Sequence, residues 1–149
     1  MLTPAMITLI ENHTAGMVAT VNADGTPAVS PKATFVVLDP TTLAFGHLRS
    51  PGTLANLGRT PALEIVFLDV LARRAVRVTG EGHVVSRAEA DESLLAAFEA
   101  TWAEYLPHMR AFVRVAIARA SPIDSPAYDL GHTETELRAA NLARLSALE

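Results

Sequence analysis

The 149-residue chain contains no cysteine. It therefore has no disulfide framework, no thiolate nucleophile and no cysteine-based metal site. Its five histidines show no i,i+4 pairing, so we expect no metal centre. An excess of positive charge is also missing, because 12 Lys and Arg stand against 16 Asp and Glu, for a formal net charge of −4. Such a chain has no general attraction for nucleic acid or anionic membranes, and any local basic cluster is a candidate site.

Long apolar runs are missing as well. No segment approaches the roughly 20 apolar residues that cross a bilayer, and no N-terminal signal pattern is present, so the expected location is the cytoplasm. Hydrophobic residues make up 50% of the chain and charged residues 19%, which is typical of one globular domain covering residues 1–149. The mean hydropathy of +0.26 is high for so small a domain. It indicates that part of the surface is covered in a homodimer.

Apolar segments separated by turn residues predict strands, and Asp24-Gly25 predicts a hairpin turn between the first two because glycine accepts positive φ. Single helices interrupt the strands, a pattern that does not fit a parallel βαβ layout. We therefore predict a mainly β (α+β) fold: a small antiparallel barrel of about six strands, of Greek-key type, with flanking helices. The predicted strands cover residues 15–21, 26–38, 43–47, 62–68, 75–85 and 111–120.

The stretch that follows the third predicted strand reads as the start of a short helix. Ser50 is a suitable N-cap, and Pro51 fits the first helical position, where its missing N–H costs nothing. Gly58 suits the left-handed position after the helix. The first helix of the chain begins with the same signature, at Thr3-Pro4.

This second helix start is a candidate anion site. Gly52 in its first turn lets a ligand approach the backbone, and free N–H groups together with Arg49 favour a phosphate. Lys32, on the preceding strand, adds a second positive charge. The alternative interpretation is a helix that caps itself and binds nothing, since capping alone explains these residue types.

Four segments carry a resemblance to a known family. They are SPKATFVVLD within residues 29–39, RSPGTLANL at 49–57, RRAVRVTG at 73–80 and SPAYDLG at 125–131. In this order they resemble the pyridoxamine 5′-phosphate oxidase-like, FMN-binding split-barrel family, and the resemblance spans nearly the whole chain.

The resemblance implies that the barrel is a six-stranded antiparallel split β-barrel and that it forms a dimer, which holds FMN in a groove between its subunits. The strand at Ser30–Ala33 would follow the isoalloxazine ring and ribityl chain, and His47 would border the site or lie on the surface. Tyr128 would either close over the cofactor from the partner subunit or anchor the C-terminal segment. The complete set of implied cofactor-binding residues is Ser30, Pro31, Lys32, Ala33, His47, Arg49, Ser50, Gly52, Thr53 and Tyr128.

A flavin brings its own redox chemistry, and hydride transfer demands no acid or base from the protein, so no catalytic residue is assigned. The expected function is an FMN-dependent oxidoreductase that acts on an unidentified small molecule, with NAD(P)H or O2 as a second partner. Two alternatives stay open. One is a non-catalytic module that binds or senses flavin or haem, and the other is a reductase that uses the deazaflavin F420.

Overall fold

The computed structural model describes residues 1–148. These residues form four α-helices and seven strands, and short 3-10 turns lie at Arg87–Glu89 and Leu106–His108. The helices are α1 (Pro4–Asn12), α2 (Pro51–Arg59), α3 (Glu92–Trp102) and α4 (Glu134–Ser146). The strands are β1 (Gly16–Val21), β2 (Pro27–Lys32), β3 (Phe35–Asp39), β4 (Thr42–His47), β5 (Ala62–Asp69), β6 (Arg74–Ser86) and β7 (Ala111–Asp124). None of the helices in this range is long and apolar enough to cross a membrane.

All seven strands belong to one antiparallel sheet in the order β2-β1-β5-β6-β7-β4-β3. The strands β2 and β3 therefore lie at opposite edges, although only Ala33 and Thr34 separate them in the chain. Three residue steps reach about 11 Å at most, whereas a flat sheet would hold its edges about 29 Å apart, from six intervals of about 4.8 Å. The sheet must therefore curl until its two edge strands come close together without pairing, which gives a split barrel.

The α+β split-barrel prediction is confirmed, but the sheet has seven strands instead of six. The predicted second strand is divided into β2 and β3. The division occurs at Thr34, whose hydroxyl donates to the Gly46 carbonyl (3.1 Å) and whose own carbonyl accepts from the Gly46 N–H (3.1 Å). Thr34 thereby transfers the chain from one edge of the sheet to the other.

The long strands β6 and β7 form the back of the barrel. Their register shifts between Thr79 and Gly80, where a side chain on Gly80 would collide with the carbonyl oxygen of Ala116. Glycine at this point allows the two strands to bend together. The predicted turn before β2 is also present, with Gly25 at φ +84° and Asp24 accepting from the Thr26 N–H at 3.0 Å.

The apolar core has two parts. The barrel interior is filled by tightly packed rings, with Phe35 edge-to-face on Phe67 at 4.7 Å between centroids. On the outside of β4 and β7, α3 contributes Leu94 and Phe98, and Phe98 lies 4.8 Å from Phe112. Because the strand β4 is covered on both faces, it is fixed firmly, and with it the segment that leads into α2.

The helix α2 ends differently from the prediction. Gly58 lies within the helix, and the chain leaves at Thr60, whose N–H donates to the Asn56 carbonyl at 2.8 Å. The left-handed residue that Gly58 would have supplied is absent from this helix end.

Candidate cofactor site

The N-terminus of α2 has no side-chain cap, although Ser50 occupies the N-cap position. The Ser50 hydroxyl donates to the Arg49 carbonyl at 2.7 Å and makes no capping bond, contrary to the prediction. The other three α-helices each carry a side-chain cap, from Thr3, Asp91 and Thr133. The first N–H groups of α2 are therefore left without the partner that a capping side chain supplies.

A pocket of about 250 Å³ opens at this uncapped helix end. Its walls come from α2 with the segment before it and from the strands β1 and β2. The lining residues are Thr20, Asn22, Ala28, Ser30, Arg49, Ser50, Gly52, Thr53 and Asn56. Hydroxyl groups, an arginine and a positive helix end thus face one small cavity, which is the donor set that a phosphate group requires.

Asn56 fixes α2 against the sheet. Its side-chain amide donates to the Thr20 hydroxyl and to the Asn22 side-chain oxygen, both at 3.0 Å, and its own oxygen accepts from Arg59. Only 5% of Asn56 is exposed. Thr53 lies one turn earlier in the same helix and is also buried, so its position depends on this anchor.

Sequence reasoning missed Thr20, Asn22 and Asn56. A signal was present for Asn56, because it lies at i+3 from Thr53 and beside Leu57, on one face of a short helix. Two polar residues on the buried face of a helix indicate hydrogen bonding to another element. Nothing in the local sequence of Thr20 distinguishes it from other residues of an alternating strand.

Lys32 lies next to the pocket at the end of β2. Its ammonium group donates to the Ser30 hydroxyl and lies 3.5 Å from the Pro31 carbonyl oxygen. Lys32 is 9% exposed, and burial lowers the pKa of its amine. No carboxylate within residues 1–148 forms an ion pair with it. A buried ammonium with only neutral partners would be stabilised by a negative charge brought close to it.

His47 lies at the end of β4 and is not part of the pocket wall. Burial lowers the pKa of its imidazole, and the positive charges of Lys32 and Arg110 lower it further. Both effects favour the neutral form of the ring. Its buried Nδ1 atom has no hydrogen-bond partner among the described residues.

The other predicted site residues lie outside the pocket. Pro31 and Ala33 are exposed, on and just after the edge strand β2. In the same chain Tyr128 anchors the C-terminal segment, since its hydroxyl donates to the Ala72 carbonyl at 2.6 Å and its ring lies 4.6 Å below the Arg74 guanidinium. Its contact with the cofactor of a partner subunit stays a prediction.

Within the described part of the chain, no three His, Asp or Glu side chains come together as a metal site. The candidate site is the pocket at the uncapped start of α2, which we call the phosphate pocket, together with the curled sheet around it. Together they define a split barrel with an uncapped helix end, whose free N–H groups and polar neighbours suit an anion.

The chain belongs to the pyridoxamine 5′-phosphate oxidase family, whose sequence model matches residues 2–124. This confirms the resemblance found in the sequence. A comparison with curated proteins gave no match.

Solved structures share the fold. HupZ of Group A Streptococcus is 25% identical, with a TM-score of 0.70 over 84% of this chain and 96% of HupZ. A candidate pyridoxamine 5′-phosphate oxidase from Lactobacillus delbrueckii is 28% identical, with a TM-score of 0.66 over 80% of this chain and 93% of its own. An FMN-binding protein from Syntrophomonas wolfei is 16% identical, with a TM-score of 0.64 over 80% of this chain and 84% of its own.

Proposed function

We propose that this protein is an FMN-binding, flavin-dependent oxidoreductase that acts on a small molecule. The observation that carries the proposal is the pocket at the uncapped start of α2, into which Arg49, Ser50 and Thr53 bring their side chains. Membership of the family and the named FMN-binding relative of the same fold support it.

Each of several pocket residues would make a different contribution to binding the phosphate. The phosphate of FMN carries nearly two negative charges and needs charge-assisted partners. Arg49 would supply a full positive charge, and the Thr53 hydroxyl would donate a hydrogen bond. The Ser50 hydroxyl would donate another after turning away from the Arg49 carbonyl. Gly52 would let the phosphate approach the free N–H groups, because it has no side chain and open space adjoins its backbone. A Cβ atom at this position would have no other atom within 4 Å.

The edge strand β2 would hold the rest of the cofactor. An edge strand leaves a row of backbone N–H and C=O groups unpaired, and Ser30 to Ala33 would offer these to the ring and ribityl chain. Lys32 would place its charge near the ring, where a cation stabilises the anionic reduced form. When bound, FMN supplies hydride-transfer chemistry, and the protein binds and orients it.

The proposed functional unit is a homodimer with the cofactor at its interface. The register of β1, β2 and β5 brings Met17, Val29 and Leu68 to one outer face of the sheet. They are 48%, 65% and 46% exposed, respectively, in the single chain. A monomeric protein rarely leaves such an apolar face uncovered. Light scattering at micromolar concentration is expected to show twice the 15.9 kDa chain mass, and a monomer would contradict the shared site.

The test of the proposed function is a titration of the purified protein with FMN. We expect saturable binding of one FMN per chain, seen as changes in the visible absorption and in flavin fluorescence. Addition of NAD(P)H without oxygen should then bleach the oxidised flavin band. Binding without bleaching by any reductant would indicate a carrier or sensor. Binding of F420 in place of FMN would contradict the cofactor assignment.

A further inference from the structure

The described residues that follow β7 add a separate layer to the barrel. They pass through a turn-rich stretch into α4, and we call residues 125–148 the C-terminal strap. The match to the family model ends at residue 124, where the strap begins. Among the described residues, neither apolar core cluster contains one beyond Ala120. The strap is therefore an addition to a barrel whose core is complete without it.

The strap is attached to the barrel at the turn between β5 and β6. Three consecutive carbonyl groups of this turn, those of residues 71–73, accept hydrogen bonds from the strap. The donors, in the same order, are the side-chain amide of Asn141 at 2.9 Å, the hydroxyl of Tyr128 at 2.6 Å and the N–H of Ser125 at 3.0 Å. Both the first residues of the strap and its helix α4 thus bind the same short turn.

Ion pairs add to this attachment. Arg138 donates to the buried carboxylate of Asp69 at 2.6 Å and to Glu134 at 2.9 Å, and Glu134 lies 3.4 Å from the Arg74 guanidinium. The Arg138, Glu134 and Arg74 side chains are all partly exposed. Ion pairs of exposed side chains contribute little to stability, because water and salt compete with them.

Apolar contacts contribute little to the attachment of α4. Asn141 is the one buried residue of this helix. Leu142 and Leu148 are more than half exposed, and Leu145 is also exposed. Burial of apolar surface is the dominant favourable contribution to folding. A segment attached mainly by polar contacts is therefore held less firmly than the strands of the barrel.

Asn141 is the centre of the attachment. Besides its bond to the Leu71 carbonyl, its side-chain oxygen accepts from Arg73 at 3.3 Å and from Arg144 at 3.0 Å. Within residues 1–148, Arg73 is the one residue other than glycine with a positive φ (+55°), a conformation that L side chains rarely adopt. The strap thus contributes to holding the turn in this conformation.

The turn also has partners within the barrel. The Asp69 carboxylate accepts from the N–H groups of Leu71 and Ala72, both at 3.0 Å, and lies 3.2 Å from Nε2 of His13. The Arg73 N–H donates to the Asp69 carbonyl at 2.8 Å. These contacts remain when the strap leaves, so the buried carboxylate is not left without partners.

We propose that the C-terminal strap is a conformational device that detaches from the barrel as one unit while the barrel stays folded. The hydrogen bonds of Asn141, Tyr128 and Ser125 to the turn break together in this step, and the turn becomes exposed to solvent. Local opening of a segment with few buried apolar contacts requires less free energy than global unfolding. The device is independent of the proposed FMN function.

The test is amide hydrogen exchange of the full chain, followed residue by residue by NMR. The strap amides to be compared are the central amides of α4 and the N–H of Ser125. We expect them to exchange roughly a hundredfold faster than the central amides of β6 and β7, which open only when the barrel unfolds.

Two variants separate opening of the strap from unfolding of the barrel. Asn141→Ala removes contacts of the attached strap and should accelerate exchange of the strap amides at least tenfold. Val115→Ala, in the barrel core, should accelerate the central amides of β6 and β7 at least tenfold. It should change the strap amides less than twofold, because the barrel stays folded in the open form. The matched control for Asn141→Ala is Thr135→Ala, at an exposed position of α4 and with a similar gain in helix propensity, which should change the strap amides less than twofold.

A further variant, Tyr128→Phe, tests whether the strap moves as one unit. It removes the hydroxyl that binds the Ala72 carbonyl, at a position outside α4, and yet it should accelerate exchange of the α4 amides at least threefold. The proposal is overturned if the strap amides exchange as slowly as those of β6 and β7, or if Val115→Ala accelerates both sets alike. It is also overturned if Thr135→Ala acts like Asn141→Ala, or if Tyr128→Phe leaves the α4 amides unchanged. None of these results depends on FMN binding.

Discussion

The helices α1 and α2 start with nearly the same two residues but use them differently. In α1, Thr3 accepts from the Met6 N–H at 3.3 Å, and Pro4 occupies the first turn. In α2, Pro51 occupies the same place, but Ser50 turns its hydroxyl to the Arg49 carbonyl. One sequence signature thus closes a helix in the first case and leaves it open in the second. Local sequence indicates where a helix begins, and the surrounding structure decides whether its end is free for a ligand.

The difference originates in what precedes each helix. The residue Thr3 has extended backbone angles (φ −81°, ψ 162°), which bring its hydroxyl over the first turn. Ser50 has φ −158° and ψ 62°, and follows the firmly packed strand β4. The short connection from β4 therefore holds Ser50 in a backbone conformation in which its side chain does not cap the helix.

The largest expected effect concerns how α2 is attached. The helix α1 is held by apolar side chains such as Met6 and Ile10, whereas α2 combines the buried Leu57 with the buried amide of Asn56. Asn56→Ala leaves Thr20, Asn22 and Arg59 without that partner. We expect a loss of about 2–3 kcal/mol in the free energy of unfolding, measured by urea denaturation.

The matched control for this change is Arg59→Ala, which removes one exposed partner of the same amide. It should cost less than about 0.5 kcal/mol. Equal losses in the two variants would contradict the anchoring role of Asn56.

The next effect concerns the ligand. We expect the double variant Ser50→Ala with Thr53→Ala to weaken FMN binding at least tenfold, because in the proposed function both hydroxyls would donate to the phosphate. That factor corresponds to about 1.4 kcal/mol. The measurement is a fluorescence titration with FMN. Unchanged affinity would remove the phosphate assignment.

For α1, whose N-terminus is capped by Thr3, we expect a change in stability and none in FMN binding. Thr3→Ala removes a working cap and should lower the free energy of unfolding by about 1 kcal/mol. It should not change the affinity for FMN, because Thr3 lies outside the phosphate pocket. Thermal unfolding and the same FMN titration check the two parts, and a loss of FMN affinity would show that the two helix starts are not distinct in role.

The smallest expected effect concerns the stability of the protein at acid pH. The helix α3 is capped by Asp91, and the hydrogen bond from the Leu94 N–H is the main cause that lowers the pKa of this carboxyl. A lowered folded-state pKa contributes stability above the unfolded value of about 3.9, and this stability is lost as the pH falls through the folded value. Asp91→Ser keeps a cap that does not titrate.

The parent should therefore lose its advantage over Asp91→Ser as the pH falls below about 4, as thermal unfolding against pH would show. A difference between the two proteins that stays constant from pH 7 to pH 3 would contradict the prediction.

The sequence predicted well what depends on neighbouring residues. The turn at Asp24-Gly25 and the starts of α1 and α2 follow from local conformational preferences, and the structure has them. The gathering of Ser30, Arg49 and Thr53 at one pocket came from the resemblance, because no local pattern relates β2 to α2.

What the sequence could not predict depends on contacts between distant residues. The division of one long strand into β2 and β3 depends on Thr34 pairing with Gly46. The anchoring of α2 joins Asn56 to Thr20 across 36 positions. The unused cap of Ser50 and the attachment of Tyr128 to Ala72 follow from where the sheet places those segments. None of these partners can be chosen from spacing alone.

The central claim is that the open end of α2 binds the phosphate of FMN. It is tested most directly by comparing FMN with riboflavin, which lacks the phosphate, on the parent and on the Ser50→Ala, Thr53→Ala variant. We predict that the parent binds FMN much more tightly than riboflavin. The double substitution should reduce the ratio of the two affinities at least tenfold, and the affinity for riboflavin itself should change less than twofold. Equal loss of both ligands, or an unchanged preference for FMN, would contradict the claim.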